Sequence, residues 1–555
     1  MPLQGTDIQH ARVEIVRLKH LIEFSGNKVE PVTGVNLKGF IFRHTNRTFM
    51  ENKEQLLRSD WTVYRGGAVL YNGAEDCLIE NCEFDQVGGN TIFVNNYNRR
   101  ITIKGCYIHD SGANGIAFVG DPQMVRNPLF RYGNQDYKDL DRNFGPKGDN
   151  YPKDCVVEDC LITMTGRDEK QTAPVQISMS HRIRISYCSI YDVPRAGINI
   201  NEGTFGGHTI EYCDIFNTVL ETGDHGSFNS WGRDRYWTPN VNVISNEVAK
   251  TPDMPFWDIL EPIVIRNNRW RCDHGWDIDL DDGSSCYRIY NNLMLRGGIK
   301  LREGYDRIVT NNIVVNNTLH PHVWPRENGD VFKHNIVFGA YRPAAMQSAL
   351  GPEDKWGKEL DYNLFVSDKE SMTYFAINGA DTNSITGNPM FVNPVNGDFR
   401  VSETSPAFLI GFQNFDMSHF GVRSKKLKAI AKTPVIPEVQ IKLNENLQTP
   451  VSYIWLGASI REPQNDELSA YGVRFDQTGV AFDRIPEKSP AAQAGFQNGD
   501  LIQRINGVRI NSLNVLKSYL YKKWKKNETQ VFLIIRNQKE MILNVEGVDD
   551  RLVRI

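Results

Sequence analysis

Acidic side chains recur in the second half of this chain at intervals of about twenty residues. Residues 278–283 read IDLDDG and residues 299–304 read IKLREG, a match at a constant offset of 21. Asp258 precedes Asp281 by a further 23 residues. If each interval is one turn of a repeating fold, carboxylates of successive turns lie about 5 Å apart and those two turns apart about 10 Å. Carboxylates at such separations can hydrolyse glycosidic bonds.

Four of these carboxylates form the predicted catalytic set. Crowded acids raise one another's pKa, which keeps one of them protonated near neutral pH as a general acid. Neighbouring cations hold the others ionised. The predicted catalytic residues, with retention or inversion left open, are Asp258, Asp281, Asp282 and Glu303.

Polar residues at the same phase of seven successive repeats predict a wall that binds the substrate. Residues 221–237 (ETGDHGSFNSWGRDRYW) depart from the repeat and carry aromatic rings that can stack on sugars. The alternative is that the cations of one turn only form ion pairs with the aspartates of the previous turn on an exposed face, without binding a substrate. The predicted substrate-binding residues are Glu202, Asp224, His225, Trp231, Arg233, Trp257, Asp279, Lys300 and Arg302.

A calcium site is a competing interpretation of residues 277–285, which read DIDLDDGSS. The alternating aspartates are similar to a calcium-binding loop, but the spacing and the final glutamate of such a loop are absent. We therefore predict no metal and no other cofactor, with calcium as the alternative.

The repeat that positions these residues has one site filled first by cysteine and then by asparagine. Its predicted members are Cys82, Cys106, Cys160, Cys188, Cys213, Asn246, Asn268, Asn292, Asn312 and Asn335. A period of about 20–50 residues indicates a solenoid, and short β-branched runs without helical periodicity between them predict strands. Asparagine amides can bond from turn to turn. We predict an all-β, right-handed parallel β-helix, the pectin-lyase-like solenoid, with the nine cysteines as buried free thiols.

Changes in composition divide the chain into three parts. Residues 388–412 interrupt the repeat with proline, glycine and aspartate, and they resemble the closing coil that covers the last open edge of extracellular β-helices. Residues 413–448 are basic and punctuated by proline, as is typical of a linker. We predict a β-helix domain at 1–412, this linker, and a second domain at 449–555.

The second domain contains the segment SPAAQAGFQNGDLIQRINGVRI, which resembles a bacterial PDZ domain, a small α+β fold. The resemblance implies that a peptide C-terminus binds by strand addition. The candidate loop is Trp455, Leu456 and Gly457, with 471–473 as a second candidate. A role as a scaffold packed on the β-helix is the alternative.

Charge and hydropathy exclude two classes of partner. The net charge of −4 argues against a nucleic-acid partner. The sequence contains no run of about 18 apolar residues, so we predict no membrane span. The first residues lack the pattern of a signal peptide. A periplasmic or secreted localisation is predicted from the fold and the expected substrate.

The segments PRAGININ, ETGDHGSFNSW and WDIDLDDGSS resemble those of bacterial β-helix proteins that act on carbohydrates. They are similar to the β-helix glycosidases of glycoside hydrolase families 110, 120 and 141. The resemblance implies hydrolysis of a galactoside, xyloside or fucoside by acids on neighbouring turns. A polysaccharide lyase or epimerase is the second hypothesis, and a non-catalytic glycan-binding or adhesin scaffold is the third.

Overall fold

Three parallel β-sheets wind around one core in the computed structural model. The described residues are 5–7, 9–11, 15–57, 61–128, 135–201, 205–344, 350, 354–366, 379–441, 453–463, 467–468, 470–474 and 477–547.

Sheet A carries the outward-facing residues of the candidate site. Its members are β1 (Ile22–Ser25), β2 (Val32–Thr33), β7 (Val69–Glu75), β10 (Ile92–Arg99), β13 (Ile116–Val119), β14 (Pro152–Lys153), β17 (Val175–Ser178), β20 (Ile198–Asn201), β23 (Gly226–Trp231), β26 (Trp276–Leu280), β29 (Ile299–Leu301) and β32 (Leu319–Pro321). Neighbours along the stack belong to successive turns, while β2 pairs with β7 and β14 with β10.

Sheets B and C complete each turn. Sheet B contains β3 (Asn36–Lys38), β8 (Leu78–Glu80), β11 (Thr102–Lys104), β15 (Val156–Glu158), β18 (Arg184–Ser186), β21 (Thr209–Glu211), β24 (Ile263–Arg266), β27 (Tyr287–Tyr290), β30 (Arg307–Thr310), β33 (Val331–Lys333) and β35 (Glu359–Asp361). Sheet C contains β4 (Ile41–Arg43), β9 (Glu83–Asp85), β12 (Tyr107–His109), β16 (Leu161–Thr163), β19 (Ser189–Tyr191), β22 (Asp214–Phe216), β25 (Arg269–Arg271), β28 (Leu293–Met294), β31 (Ile313–Val314), β34 (Ile336–Val337), β36 (Leu364–Phe365) and β37 (Ile385–Thr386).

The remaining elements lie in insertions, the cap, the connecting segment and the C-terminal domain. The strands are β5 (Glu54–Gln55), β6 (Thr62–Val63), β38 (Phe391–Asn393), β39 (Asp398–Val401), β40 (Tyr453–Trp455), β41 (Ala458–Arg461), β42 (Val480–Arg484), β43 (Leu501–Ile505), β44 (Val508–Arg509), β45 (Thr529–Arg536) and β46 (Lys539–Glu546). The α-helices are α1 (Val241–Lys250), α2 (Lys425–Lys428), α3 (Pro490–Gln493) and α4 (Leu513–Lys522). Short 3₁₀ helices occur at Pro122–Met124, Tyr137–Asp139, Met254–Phe256, Pro394–Asn396 and Pro406–Ile410.

The residues at the repeat site, cysteine in the early turns and asparagine in the later ones, stack from turn to turn, and the asparagines form a ladder of hydrogen bonds. The amide of Asn268 donates to Asn292 Oδ1 at 3.1 Å, and the amide of Asn292 donates to Asn312 Oδ1 at 3.0 Å. The ladder continues through Asn335 to Asn363. These bonds satisfy buried amides and hold each turn in register with the next. All nine cysteines are buried free thiols, as predicted.

Asn246 is not part of the ladder, and its predicted place there is wrong. It lies in α1, because residues 232–262 leave the repeat and form an insertion rather than a turn. The turn that precedes Asn268 instead carries Cys213, whose backbone N–H donates to Asn268 Oδ1 at 2.9 Å.

Apolar side chains alternate along the strands and form a continuous core. In β26 and β29, the isoleucines and leucines are fully buried in that core. The residues between them face outward, where insertions cover them. In one insertion Trp61 meets Trp231 edge-on, with 4.8 Å between ring centroids. In another, α1 packs with Tyr236 and Trp237.

The segment predicted as a linker packs against the β-helix over its described part, 413–441. The backbone N–H of Val422 donates to Ser189 Oγ at 3.1 Å, and that of Lys432 donates to the Tyr191 hydroxyl at 3.1 Å. Val422 and Leu427 are buried against sheet C. The segment connects the two domains and also covers one face of the first.

The described residues of the C-terminal domain form an antiparallel sheet with two α-helices. Its strand order is β40-β41-β42-β43-β45-β46, and β44 pairs with β43. An apolar cluster joins this domain to the β-helix. The cluster contains Val241, Val323, Ala344, Ala470, Tyr471, Ala481, Leu501 and Ile535. Within the described part of the chain, no helix is both long enough and apolar enough to cross a bilayer.

Asn292→Ala should lower the free energy of unfolding of the β-helix by about 1–3 kcal/mol, because it leaves the amide groups of its ladder neighbours unpaired. Urea denaturation followed by circular dichroism measures the change. The control is Asn36→Ala, since Asn36 is exposed on β3. If the two variants were equally stable, the hydrogen bonds of the asparagine ladder would not contribute to the stability of the β-helix.

Candidate active site

Outward-facing residues of sheet A stack in a column along the helix axis. The register pairs Asn199 with Asn229, Asn229 with Asp279, and Asp279 with Lys300. His320 follows on β32. Because neighbouring strands are about 4.8 Å apart, these side chains form one row of polar groups. The row changes from amides to charged groups at Asp279.

Lys300 is the cation at the centre of this row. Its Nζ atom lies 3.0 Å from Asp279 Oδ1 and 3.2 Å from Asp281 Oδ1. Nζ also lies 4.2 Å from the ring centroid of Trp276. The amide of Asn229 donates to Asp279 Oδ2 at 3.0 Å. The buried ammonium thus has two carboxylates and an aromatic face in place of water.

Arg302 brings three carboxylates together. Its Nη1 atom lies 3.5 Å from Asp281 Oδ1, and its Nε atom lies 2.8 Å from Asp282 Oδ1. The same Nε is 2.9 Å from Glu303 Oε2. Arg233 approaches Asp282 as well, with 3.2 Å between Nη2 and Oδ2. Three of the four predicted catalytic residues therefore share one guanidinium.

The surroundings shift the pKa values of two of these carboxyl groups in opposite directions. Burial raises the pKa of Glu303 to about 7, although the guanidinium of Arg302 acts in the opposite direction. Burial also favours protonated Asp281, but Lys300 and Arg302 outweigh it and hold the Asp281 pKa below its ordinary range. About 18% of the Asp281 side chain is accessible, against 4% for Glu303. The site thus pairs a carboxyl that titrates near neutrality with an ionised carboxylate.

Trp237 covers the buried end of the site. Its indole Nε1 donates to Glu303 Oε1 at 3.0 Å, and its ring lies 5.3 Å from the guanidinium carbon of Arg233. Trp237 packs with Tyr236 and Trp257 in the cluster around α1. The insertion therefore supplies both the apolar surroundings and a hydrogen bond for Glu303.

Arg195 and His225 form a basic pair next to these charges. Arg195 contacts Nε2 of His225, and its guanidinium carbon lies 4.1 Å from the ring centroid of Trp61 and 5.4 Å from that of Trp231. Burial, followed by the charge of Arg195, lowers the pKa of His225 well below its ordinary value. The imidazole is therefore neutral at pH 7. Asp224, which precedes it, is exposed.

Asp258 lies apart from this cluster, so its predicted place one turn below Asp281 is wrong. The turn below β26 is β23, while Asp258 belongs to the insertion. Its Oδ1 atom is 2.5 Å from Nη2 of the buried Arg235. The cavity that both residues line has a volume of about 20 Å³, room for about one water molecule.

The structure brings together seven of the predicted site residues: Arg233, Asp279, Asp281, Asp282, Lys300, Arg302 and Glu303. His225 and Trp231 lie beside this group with Arg195. Trp257 packs in the insertion, where its indole donates to Asp253 at 2.9 Å. Glu202 lies outside the described residues.

Sequence reasoning missed Asn229 and Arg195, and it predicted Trp237 only as a ring that can stack on sugars, without its contact to Glu303. Asn229 precedes its register partner Asp279 by fifty residues, because the insertion separates the two turns. Trp237 lies in the aromatic-rich segment 221–237, which was the only signal for it. No pattern in the sequence pairs Arg195 with His225.

Two family models match the chain. Residues 42–248 match the right handed beta helix region, and residues 456–546 match the PDZ domain. The chain is a β-helix protein with a C-terminal PDZ domain. These matches confirm the predicted fold of both parts.

Partial likenesses to known proteins accompany these matches. The Serine protease Do-like HtrB of Bacillus subtilis (strain 168) is 27% identical over 156 residues, which are 28% of this chain and 34% of the relative. The chain thus spans about a third of that relative's length. A solved structure described as a glycoside hydrolase aligns with a TM-score of 0.30 and 14% identity, over 59% of this chain and 49% of the other. Neither likeness assigns an activity to the β-helix protein.

The predicted peptide-binding residues of the PDZ domain form a tight hairpin instead of an open loop. Leu456 and Gly457 are its two-residue turn, with φ angles of 52° and 69°, and they join β40 to β41. The side chains of Trp455 and Leu456 are buried in the domain core. β40 also covers the edge of β41. Tyr471, in the second candidate loop, is buried in the contact with the β-helix.

Glu303→Gln should change how stability depends on pH. Native Glu303 keeps its proton up to about pH 7, whereas its ordinary pKa of 4.5 applies after unfolding. This contribution is complete below about pH 4.5 and is lost as pH rises through 7. Relative to the variant, the native protein should lose up to about 3 kcal/mol between pH 4.5 and 8.

Urea denaturation at several pH values measures this difference. Glu327→Gln serves as the control, because Glu327 is exposed and lies outside the site. Parallel stability curves for the protein and for Glu303→Gln would refute a raised pKa at Glu303.

Proposed function

We propose that the β-helix protein is a glycoside hydrolase that cleaves a glycosidic bond in a polysaccharide or in an oligosaccharide side chain. The observation that carries the proposal is the shared guanidinium of Arg302, which contacts both Glu303 and Asp281. Two carboxyl groups with separated pKa values supply the acid and the base or nucleophile of glycoside hydrolysis. The β-helix fold, which many carbohydrate-active proteins use, is consistent with this role but does not carry it.

Glu303 is the general acid in this proposal. Its pKa of about 7 means that a large fraction of the enzyme holds the proton at neutral pH. When the bond to the leaving sugar breaks, the proton moves from the Glu303 carboxyl to the glycosidic oxygen. The resulting carboxylate is stabilised by the Arg302 guanidinium and by the Trp237 indole N–H, which are already in place.

Asp281 is the base or nucleophile. It is ionised because Lys300 and Arg302 hold its pKa down, and it is the carboxylate most open to solvent in the central cluster. Burial raises the pKa of the neighbouring Asp279 well above its ordinary value. Lys300 is shared by both aspartates, with Nζ 3.0 Å from Asp279 Oδ1 and 3.2 Å from Asp281 Oδ1. Asp282 completes the set by neutralising Arg302 and Arg233.

The substrate class follows from the resemblance to glycoside hydrolase families 110, 120 and 141. We propose a galactoside, fucoside or xyloside, met in the periplasm or outside the cell. His225 lies beside the acids and would contact sugar hydroxyls, whereas the ring of Trp231 is buried against Trp61.

The basic pair favours a second candidate, a polysaccharide lyase or epimerase. His225 is a neutral imidazole and can take a proton from the carbon next to a uronate carboxylate, while Arg195 offsets the charge that develops. The two reactions differ in product, because elimination leaves a double bond that absorbs near about 235 nm and hydrolysis does not.

The PDZ domain suggests a peptide as partner. Because β40 occupies the edge of β41, a peptide that adds to this side of the sheet would pair with β40 or displace it.

Glu303→Gln and Asp281→Asn should each lower turnover by about 10²–10⁴-fold, since each removes one of the proton-transferring or charge-stabilising groups. Release of reducing sugar from aryl glycosides and polysaccharides, with absorbance recorded in parallel, measures the loss. In the unmodified enzyme, turnover should fall as pH rises above about 7, where Glu303 loses its proton.

Matched controls are Glu327→Gln and Asp273→Asn, which change exposed carboxylates outside the cluster. Asp258→Asn should lower the free energy of unfolding and leave turnover nearly unchanged, because it removes the negative charge that pairs with the buried Arg235 outside the cluster. An unsaturated product that depends on His225 would establish the lyase instead. Glycan binding without turnover, unchanged in both acid variants, would leave a non-catalytic scaffold.

A further inference from the structure

A histidine and two carboxylates converge on sheet C, a different sheet from the one that carries the candidate active site. Glu83 and Asp85 lie on β9, and His109 lies on β12, one turn further along. The register pairs His109 with Asp85. One donor atom from each of these residues lies within 4.8 Å of the other two.

The distance between His109 and Glu83 does not fit a hydrogen bond. Nε2 of His109 is 3.6 Å from Glu83 Oε1, whereas N–H···O bonds have about 2.7–3.2 Å between these atoms. Nε2 is buried and has no hydrogen-bond partner among the described residues. Two ligands of one tetrahedral zinc ion, each bound at about 2.0–2.2 Å, lie about 3.4 Å apart. The observed separation is close to that value.

The other ring nitrogen of His109 has the partner that a metal-bound histidine usually has. Nδ1 lies 2.9 Å from Asp110 Oδ2, and the ring of Tyr107 stacks on the imidazole at 4.1 Å between centroids. A carboxylate at Nδ1 holds the proton there and directs the lone pair of Nε2 outward, as in carboxylate–histidine–zinc triads. In this structure Nε2 faces Glu83 Oε1, while Asp85 Oδ1 lies 3.7 Å from Nδ1 and would have to turn toward Nε2 to reach an ion bound there.

Asp85 contacts two further side chains. Gln86 donates to Asp85 Oδ1 at 3.1 Å, and Arg43 lies 2.7 Å from Asp85 Oδ2. Arg167 lies 3.9 Å from Asp110. The three carboxylates, counted with Asp110, outnumber the two guanidiniums by one, so the cluster keeps a negative charge that favours a cation.

We infer that Glu83, Asp85 and His109 form a binding site for a divalent transition-metal ion of the zinc type. A nitrogen ligand with two carboxylates suits zinc better than calcium, which takes six to eight oxygen ligands. The Glu83 side chain is 26% accessible, so an ion can enter and keep water in its remaining position. The ion would clamp β9 to β12 and stabilise the early turns. This site is independent of the proposed hydrolysis.

The inference is tested on the full-length protein after dialysis against a chelator. Calorimetric titration with zinc chloride should show one site that weakens at least about 100-fold in His109→Gln and in Glu83→Gln. Asp110→Asn should weaken it about 10–100-fold, because it removes the partner of Nδ1. Zinc should raise the melting temperature of the unmodified protein but not of His109→Gln.

His419→Gln is the matched control, since His419 pairs with Asp416 at the surface. This variant should bind zinc with the same affinity as the unmodified protein. Equal zinc affinity of the unmodified protein and His109→Gln overturns the inference. So does an equal response to calcium chloride. A melting temperature that His109→Gln lowers by the same amount with and without zinc also overturns it, because it identifies His109 as the cation of an ion pair.

Discussion

The rest of the structure depends on the register between successive turns of the β-helix. Parallel strands stack about 4.8 Å apart, so a residue faces the same direction as the residue one turn away only if no turn slips. The asparagine ladder from Asn268 to Asn363 prevents such slips in the second half of the helix. Each amide has its donor and acceptor satisfied by its neighbours, and a slip of one residue would leave them buried without partners.

The register converts distances along the chain into a compact cluster of charges. Asp279 and Lys300 are 21 residues apart in the sequence, yet they pair directly between β26 and β29. The cluster is buried, and burial of single charges is costly. It is tolerated because the cations and carboxylates contact one another, with Arg302 serving three acids at once.

Insertions turn this charged face of a regular solenoid into a site. The face would lie open to water if the turns followed one another without interruption. Residues 232–262 instead place Trp237 over Glu303, and the exclusion of water there raises the pKa of that carboxyl. The same insertion contributes Val241 to the contact with the PDZ domain. The second domain therefore packs against the element that covers the acids.

The sequence by itself determined the parallel β-helix fold, the inward and outward faces of the strands, and the pairing of residues 278–283 with 299–304. These features follow from local alternation and from a period that holds wherever turns are uninterrupted. Only the tertiary structure decided which residues the insertions bring in. A spacing of 23 residues pointed to Asp258 as a neighbour of Asp281, but Asp258 lies in the insertion 232–262, and the strand below β26 is β23. Trp237 and Arg195 reach their partners across the chain, and such contacts have no period to reveal them.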